Sequence, residues 1–150
     1  MAADPAPDSP VLFAYDGSDH AKAAIEQAGR QLRTGRAALV LTVWQPLESI
    51  PFAQMAVIPD EVAETMGDGA RATAAEGAEL AKAAGFDASP LVEVGEPVWE
   101  RIVEVADERN AAMVVLGSHG RSGVSYAALG SVATAVAHHT KRPVMISRAA

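Results

Sequence analysis

Two short clusters in this 150-residue chain carry groups that core packing does not ask for. The first is Asp16, Gly17, Ser18 and Asp19, directly after the apolar run 11–15. The second opens with Gly117, Ser118, His119, Gly120, Arg121, Ser122 and Gly123 after the apolar run 112–116. After nine intervening residues past Gly120, it closes with Gly130 and Ser131. Glycines at 117, 120 and 130 let the backbone approach a ligand closely and take positive φ where needed. Ser131 opens a helical pattern, and the free N–H groups and positive dipole end of a helix start favour an anion such as phosphate. The Ser131 hydroxyl adds a hydrogen bond to that anion, and Arg121 can neutralise its outer charge. Asp16 stands where a carboxylate accepts hydrogen bonds from a ribose or a base edge. A plainer account fits the same spacing: Ser131 as a helix cap and the glycines as a tight loop.

Competing chemistries fail on spacing. No G-x-x-x-x-G-K-S/T run occurs and neither cluster holds a lysine, which excludes a P-loop. No G-x-G-x-x-G follows the first strand, so the dinucleotide fingerprint is missing. A phosphoacceptor receiver wants an aspartate at the end of strand three, where this chain has Glu93, Val94 and Gly95. With no cysteine there is no thiol nucleophile, disulfide framework or thiolate metal site. His138 and His139 are adjacent on a helix and cannot share a metal as an i, i+4 pair does; they suit the helix C-terminal dipole. His119 reads as a loop residue, with phosphate contact or general base as its alternative role. His20 falls in a first helical turn with no role implied.

These clusters need a frame that brings them together. Strands are expected over 11–15, 38–43, 89–94, 112–116 and 143–147, and helices over 20–33, 60–84, 97–110 and 131–139. Ala21, Ala24, Ile25, Ala28 and Leu32 share one face of the first helix, with Gly35 as its C-terminal cap. Gly67, Gly69 and Gly77 weaken the second, and a break near Gly67 is expected. Pro90 suggests an edge strand, and Pro97 suits a first helical turn. Pro46, Pro51 and Pro59 mark 44–58 as an excursion over the surface, in which Trp44 and Phe52 cover the core, with stacking on a base as the alternative. Glu64, Asp68, Glu76 and Glu79 form a solvated acidic face. The alternation β-α-β-α-β-α-β-α-β implies right-handed crossovers and a single α/β, doubly wound, five-stranded parallel sheet with helices on both faces. Ligands on such sheets sit beyond the C-terminal strand ends where the strand order reverses.

Composition sets the class. A length of 150 residues suits one domain, and 49% hydrophobic content excludes a disordered acidic chain. The net charge of −7 argues against nonspecific binding to nucleic acid or anionic membranes. Residues 1–9 are acidic and proline-rich, without the basic and apolar regions of a signal peptide, and read as a frayed tail before a domain spanning 10–150. No apolar run approaches the roughly 20 residues of a membrane span. A cytoplasmic location is expected.

The pattern Gly117-x-x-Gly120, nine residues, then Gly130 and Ser131 resembles the G-x-x-G-x9-G-S/T signature of the ATP-binding branch of the universal stress protein family. The resemblance extends to Asp16 at the end of the first strand and to the last strand with Arg142, Pro143, Val144, Met145 and Ile146, and so covers nearly the whole chain after the tail. It implies a Rossmann-like fold of the adenine nucleotide alpha hydrolase type, an adenine nucleotide as ligand, and ATP with Mg2+ as its form. It implies Asp16 and Val43 at the adenosine end. Gly117, Ser118 and Gly120 would line the ribose and phosphate path, with Arg121 beside it, and Gly130, Ser131 and Val132 would hold the phosphates. It implies a homodimer through the last strand, over Val144 to Ser147, which an open apolar edge also favours. The function implied is a stress-response nucleotide switch. A slow ATPase and a cyclic-AMP-type sensor are the alternatives on the same residues.

Overall fold

The computed structural model of the chain describes residues 4–45, 60–120 and 129–149. Its elements run β1 (Val11–Ala14), α1 (Asp19–Gln31), β2 (Ala37–Trp44), α2 (Asp60–Ala83), β3 (Asp87–Val94), α3 (Val98–Glu108), β4 (Met113–Gly117), α4 (Ser131–His139) and β5 (Val144–Ser147). The strands form one parallel sheet in the order β3-β2-β1-β4-β5. The chain thus winds outward from β1 through β2 to β3, then crosses back to place β4 on the other side of β1. The sheet is the expected doubly wound one, and its switch point lies between β1 and β4.

Strand residues alternate between two cores, which is why these runs are apolar throughout. Val11, Phe13, Val40 and Val115 pack under α1 and α2 with Ala24, Ile25, Ala28, Ala78 and Ala81. Leu12, Leu41, Val114 and Leu116 pack under α3 and α4 with Ile102, Val105, Ala106, Ala133 and Val136. Phe13 and Phe86 meet edge-to-face at 5.2 Å in the first core.

β3 is an edge strand, as Pro90 suggested. Other expectations are corrected. α2 runs unbroken through Gly67, Gly69 and Gly77. Gly77 is there for packing: a Cβ would lie 2.6 Å from Tyr15 Cδ1 and 2.7 Å from Val40 Cγ1. Gly35 does not cap α1, whose C-cap is Leu32; its N–H instead donates to Gly85 O at 2.7 Å, joining two turns. Pro97 is the N-cap of α3 rather than its first helical residue. β2 extends to Trp44, half-buried and outside both core clusters. The remainder of the expected excursion, with Phe52, lies outside the described residues.

Arg142, whose side chain is 4% exposed, ties the far end of the sheet together. Its Nε donates to Asp107 Oδ1 at 3.0 Å, and Nη1 donates to Asn110 Oδ1 at 3.0 Å and Ala111 O at 3.2 Å. Among the described residues, no helix is long and apolar enough to cross a membrane.

Candidate functional site

A cleft of about 320 Å³ opens beyond the C-terminal ends of β1 and β4. One side is apolar, formed by Leu41, Val43, Val98, Ile102 and Leu116. The other carries Asp16, His119, Gly120, Gly130 and Ser131. Apolar walls with a few convergent polar groups are the usual make-up of a small-molecule site.

Asp16 is positioned by the turn that leaves β1. Tyr15 N–H donates to Leu41 O at 2.8 Å, and the buried Thr42 hydroxyl donates to Tyr15 O at 2.9 Å. The Tyr15 phenol donates to Glu76, which also pairs with Lys22 at 3.6 Å, so one member of the expected solvated acidic face does structural duty. Gly17, at φ +81°, takes the left-handed conformation that the turn into α1 requires. Ser18 caps α1 through Ala21 N–H at 3.2 Å and donates its own N–H to Asp16 Oδ1 at 2.9 Å. The second carboxylate oxygen lies against Gly120, where a Cβ would come within 2.9 Å of it.

The glycine loop is shaped by close approach, not by positive φ: Gly117, Gly120 and Gly130 all lie outside the left-handed region. A Cβ on Gly117 would stand 2.6 Å from the carbonyl carbon of His20, so glycine is what lets α1 sit against the end of β4. A Cβ on Gly130 would meet Ser118 O at 3.1 Å and His119 Cα at 3.2 Å. Ser118 is fully buried and joins three segments. Its N–H donates to Ser147 O and its carbonyl accepts from Gly130 N–H, both at 2.7 Å. Its hydroxyl lies 3.0 Å from His119 Nδ1 and 3.3 Å from His20 Nδ1.

α4 starts without a side-chain cap. Its N-cap is Gly130, and Ser131 is the first helical residue, so the reading of Ser131 as the cap is set aside. Ser131 is exposed, and Val132 and Ala133 follow it along the cleft wall. A helix start without a capping side chain, opening into a cleft, is suited to receive an anion.

Of the expected site residues, Asp16, Val43, Gly117, Gly120, Gly130, Ser131 and Val132 all line this one cleft. Ser118 stands behind its wall and not on its surface. Arg121 lies outside the described residues. Sequence reasoning missed Thr42, which anchors Tyr15, and His20, whose Nδ1 accepts Ala149 N–H at 2.8 Å. Each reaches a residue distant in sequence, and no local pattern announces such a pairing. His138 and His139 are exposed at the end of α4, where the His139 ring stacks on Trp99 at 4.3 Å. Among the described residues, no group of three or more His, Asp or Glu side chains is arranged to hold a metal. Away from the cleft, the hydrogen bonds that Arg101 donates to Glu108, then Glu104, then Glu93 push its guanidinium pKa further above its ordinary value.

The fold defines an α/β protein with a cleft at the switch point of a parallel sheet. The chain belongs to the universal stress protein family, whose family model matches residues 9–148. It is 32% identical over 148 residues to universal stress protein YxiE of Bacillus subtilis (strain 168), covering 92% of this chain and 97% of that protein. Among solved structures it resembles the hypothetical protein MJ0577 of Methanocaldococcus jannaschii, with a TM-score of 0.77 at 21% identity over 95% of this chain and 97% of that one. It also resembles a universal stress protein in complex with cAMP, with a TM-score of 0.65 at 26% identity over 97% and 100% of the two chains.

Proposed function

We propose that this protein binds an adenine nucleotide, ATP with Mg2+, in the cleft between β1 and β4, and works as a dimeric nucleotide switch in the cytoplasm. The observation that carries this reading is the convergence in one cleft of an N-terminus of α4 without a side-chain cap, the Gly120 and Gly130 approaches, and Asp16 beside an apolar wall. A relative in complex with cAMP supports the adenine class.

In this reading Asp16 and Val43 receive the adenosine end, with Asp16 accepting ribose hydroxyls. Gly117 and Gly120 leave room for the ribose and phosphate path, and Ser118 fixes that path from behind through its backbone bonds. The N–H groups of Ser131 and Val132 face the phosphates after Gly130, and Arg121 supplies a cation. Mg2+ commonly keeps several waters and binds through phosphates with one or two carboxylates, which fits Asp16 as the single carboxylate among the cleft-lining residues. The domain spans 10–150, with 1–9 as a tail.

Ser118 also supports the switch. It bonds Gly130 at the start of α4 and Ser147 at the end of β5, so a ligand that favours one arrangement of the α4 start biases the end of β5. β5 pairs with β4 on one side and is the sheet's outer strand on the other, open to a second copy over Val144–Ser147. Neither nucleic acid nor membrane is a partner in this reading.

The test is to denature freshly purified protein, identify the released small molecules by mass spectrometry, and titrate emptied protein with ATP and Mg2+. Recovered or titratable ATP is the expected result, lost in Gly130→Val, whose side chain would crowd Ser118 O and His119 Cα. Released ADP or AMP would assign a hydrolase, and released cyclic AMP a sensor. An empty protein that ignores ATP would overturn the reading.

A further inference from the structure

The segment that follows β5 is held by a histidine that does not line the cleft. Ala149, two residues past the end of β5, donates its N–H to His20 Nδ1 at 2.8 Å. A backbone N–H can only donate, so His20 Nδ1 carries the lone pair and the ring is neutral, with its proton on Nε2. The Ser118 hydroxyl lies 3.3 Å from the same Nδ1 and 3.0 Å from His119 Nδ1. While Ala149 engages the His20 lone pair, the hydroxyl proton serves His119, and the Ser118 oxygen keeps a lone pair for His20.

A proton on His20 Nδ1 reverses these roles. The nitrogen becomes a donor, two N–H groups oppose each other across 2.8 Å, and the Ala149 bond is lost. The new Nδ1–H has an acceptor at hand in the Ser118 oxygen. Each charge state of His20 thus has its own partner, and histidine is the side chain that changes charge between about pH 5 and 8. Anchorage decides which side yields. His20 stands in the first turn of α1 with its backbone against the end of β4, where a Cβ on Gly117 would come within 2.6 Å of its carbonyl carbon. Ser118 is buried and tied by backbone bonds to Ser147 and Gly130. Residues 148–149 have left the β4–β5 ladder and are in no regular element, so they are the part that moves. His119 is the titratable group that packs on His20 from the loop after β4, at 5.2 Å between ring centroids. Asp19 precedes His20 on α1 and Arg148 precedes Ala149, both exposed.

We propose that His20 is a pH-operated latch on the segment after β5: neutral, it holds Ala149 against the start of α1; protonated, it turns to Ser118 and releases residues 148–149. The latch sets how the chain leaves the outer strand of the sheet. His20 is not among the cleft-lining residues, so the inference stands apart from the nucleotide reading.

The experiment is NMR on the 15N-labelled full chain and its His20→Asn and His20→Ala variants, at about pH 7.5 and 5.5, either side of the ordinary histidine titration. In wild type a 15N–15N coupling across the hydrogen bond joins Ala149 N to His20 Nδ1 at the higher pH and vanishes at the lower. The Ala149 heteronuclear NOE falls with it, while amides of β4 keep theirs. One hydrogen bond of ordinary strength is at stake, so the held population should drop about five- to tenfold. Asparagine offers a carbonyl oxygen near the place of Nδ1 that accepts at either pH; alanine offers nothing. Ala149 should therefore stay ordered at both pH values in His20→Asn and be released at both in His20→Ala. No coupling at the higher pH, a coupling that persists at the lower, or an ordered Ala149 in His20→Ala would each overturn the latch. So would a His20→Asn variant that still loses order on acidification, which would move the response to another group, His119 first.

Discussion

Replacing Gly77 by alanine sets helix propensity against tertiary packing, and the two predict opposite signs. Gly77 lies within α2, where alanine is favoured over glycine by about 1 kcal/mol. The new methyl would stand 2.6 Å from Tyr15 Cδ1 and 2.7 Å from Val40 Cγ1. That is roughly 1 Å inside the usual 3.5–4.0 Å contact between carbons. Tyr15 is 3% exposed and Val40 0%, so neither can yield toward solvent. Overpacking a tight core costs about 1–3 kcal/mol, and contacts this short belong at the upper end. The net expectation is a loss of about 2 kcal/mol, or a Tm lower by about 4–8 °C for a chain of this length. Gly69, in the same helix, is exposed with nothing within 4 Å of a Cβ. Gly69→Ala should therefore raise Tm by about 2–4 °C. Calorimetric melts of both variants beside wild type make the measurement. Because Tyr15 carries Asp16 into the cleft, Gly77→Ala should also weaken the proposed ATP binding while Gly69→Ala leaves it intact. If both alanines raise Tm alike, the close seating of α2 on Tyr15 and Val40 is refuted.

Three further outcomes are expected. Thr42→Val keeps the side-chain shape but removes the donor to Tyr15 O; urea titration should show a loss of about 1–3 kcal/mol, with reduced ATP affinity as the Asp16 turn loosens. Asp107→Ala leaves the buried Arg142 cation without its carboxylate and should cost about 3 kcal/mol, whereas Arg142→Met, which removes the cation itself, should cost less; the reverse order in urea unfolding would contradict the pairing. In β5 the carbonyls of Pro143 and Ser147 face β4, so by the alternation of a parallel ladder the Val144 N–H points to the open edge. If the proposed dimer forms through this edge, Val144→Pro should leave the monomer folded and abolish the dimer in light scattering, and a dimer that survives would move the interface elsewhere.

Much of the fold was legible because strand and helix periods are local properties. Apolar runs of four to eight residues between amphipathic stretches could only alternate as β and α, and length alone then forced parallel crossovers. The glycine signature and Asp16 were legible for a related reason: both stand at strand ends, where an open α/β sheet holds ligands. The break expected at Gly67 was wrong because propensity is a local sum, while α2 is held by the face it buries against Tyr15, Val40 and their neighbours.

The sequence by itself determined the element order, the parallel sheet, the edge position of β3 and the two clusters that meet in the cleft. Only the tertiary structure decided what each residue does there. It placed Ser118 behind the wall with its hydroxyl between two histidines, and it made Gly130 rather than Ser131 the cap of α4. It also gave the loop glycines their reason in close approach. These are contacts between residues far apart in the chain, such as Ser118 with His20 or Thr42 with Tyr15. Propensity and spacing act over one or two turns of chain, whereas such contacts exist only once the sheet has brought its strand ends together.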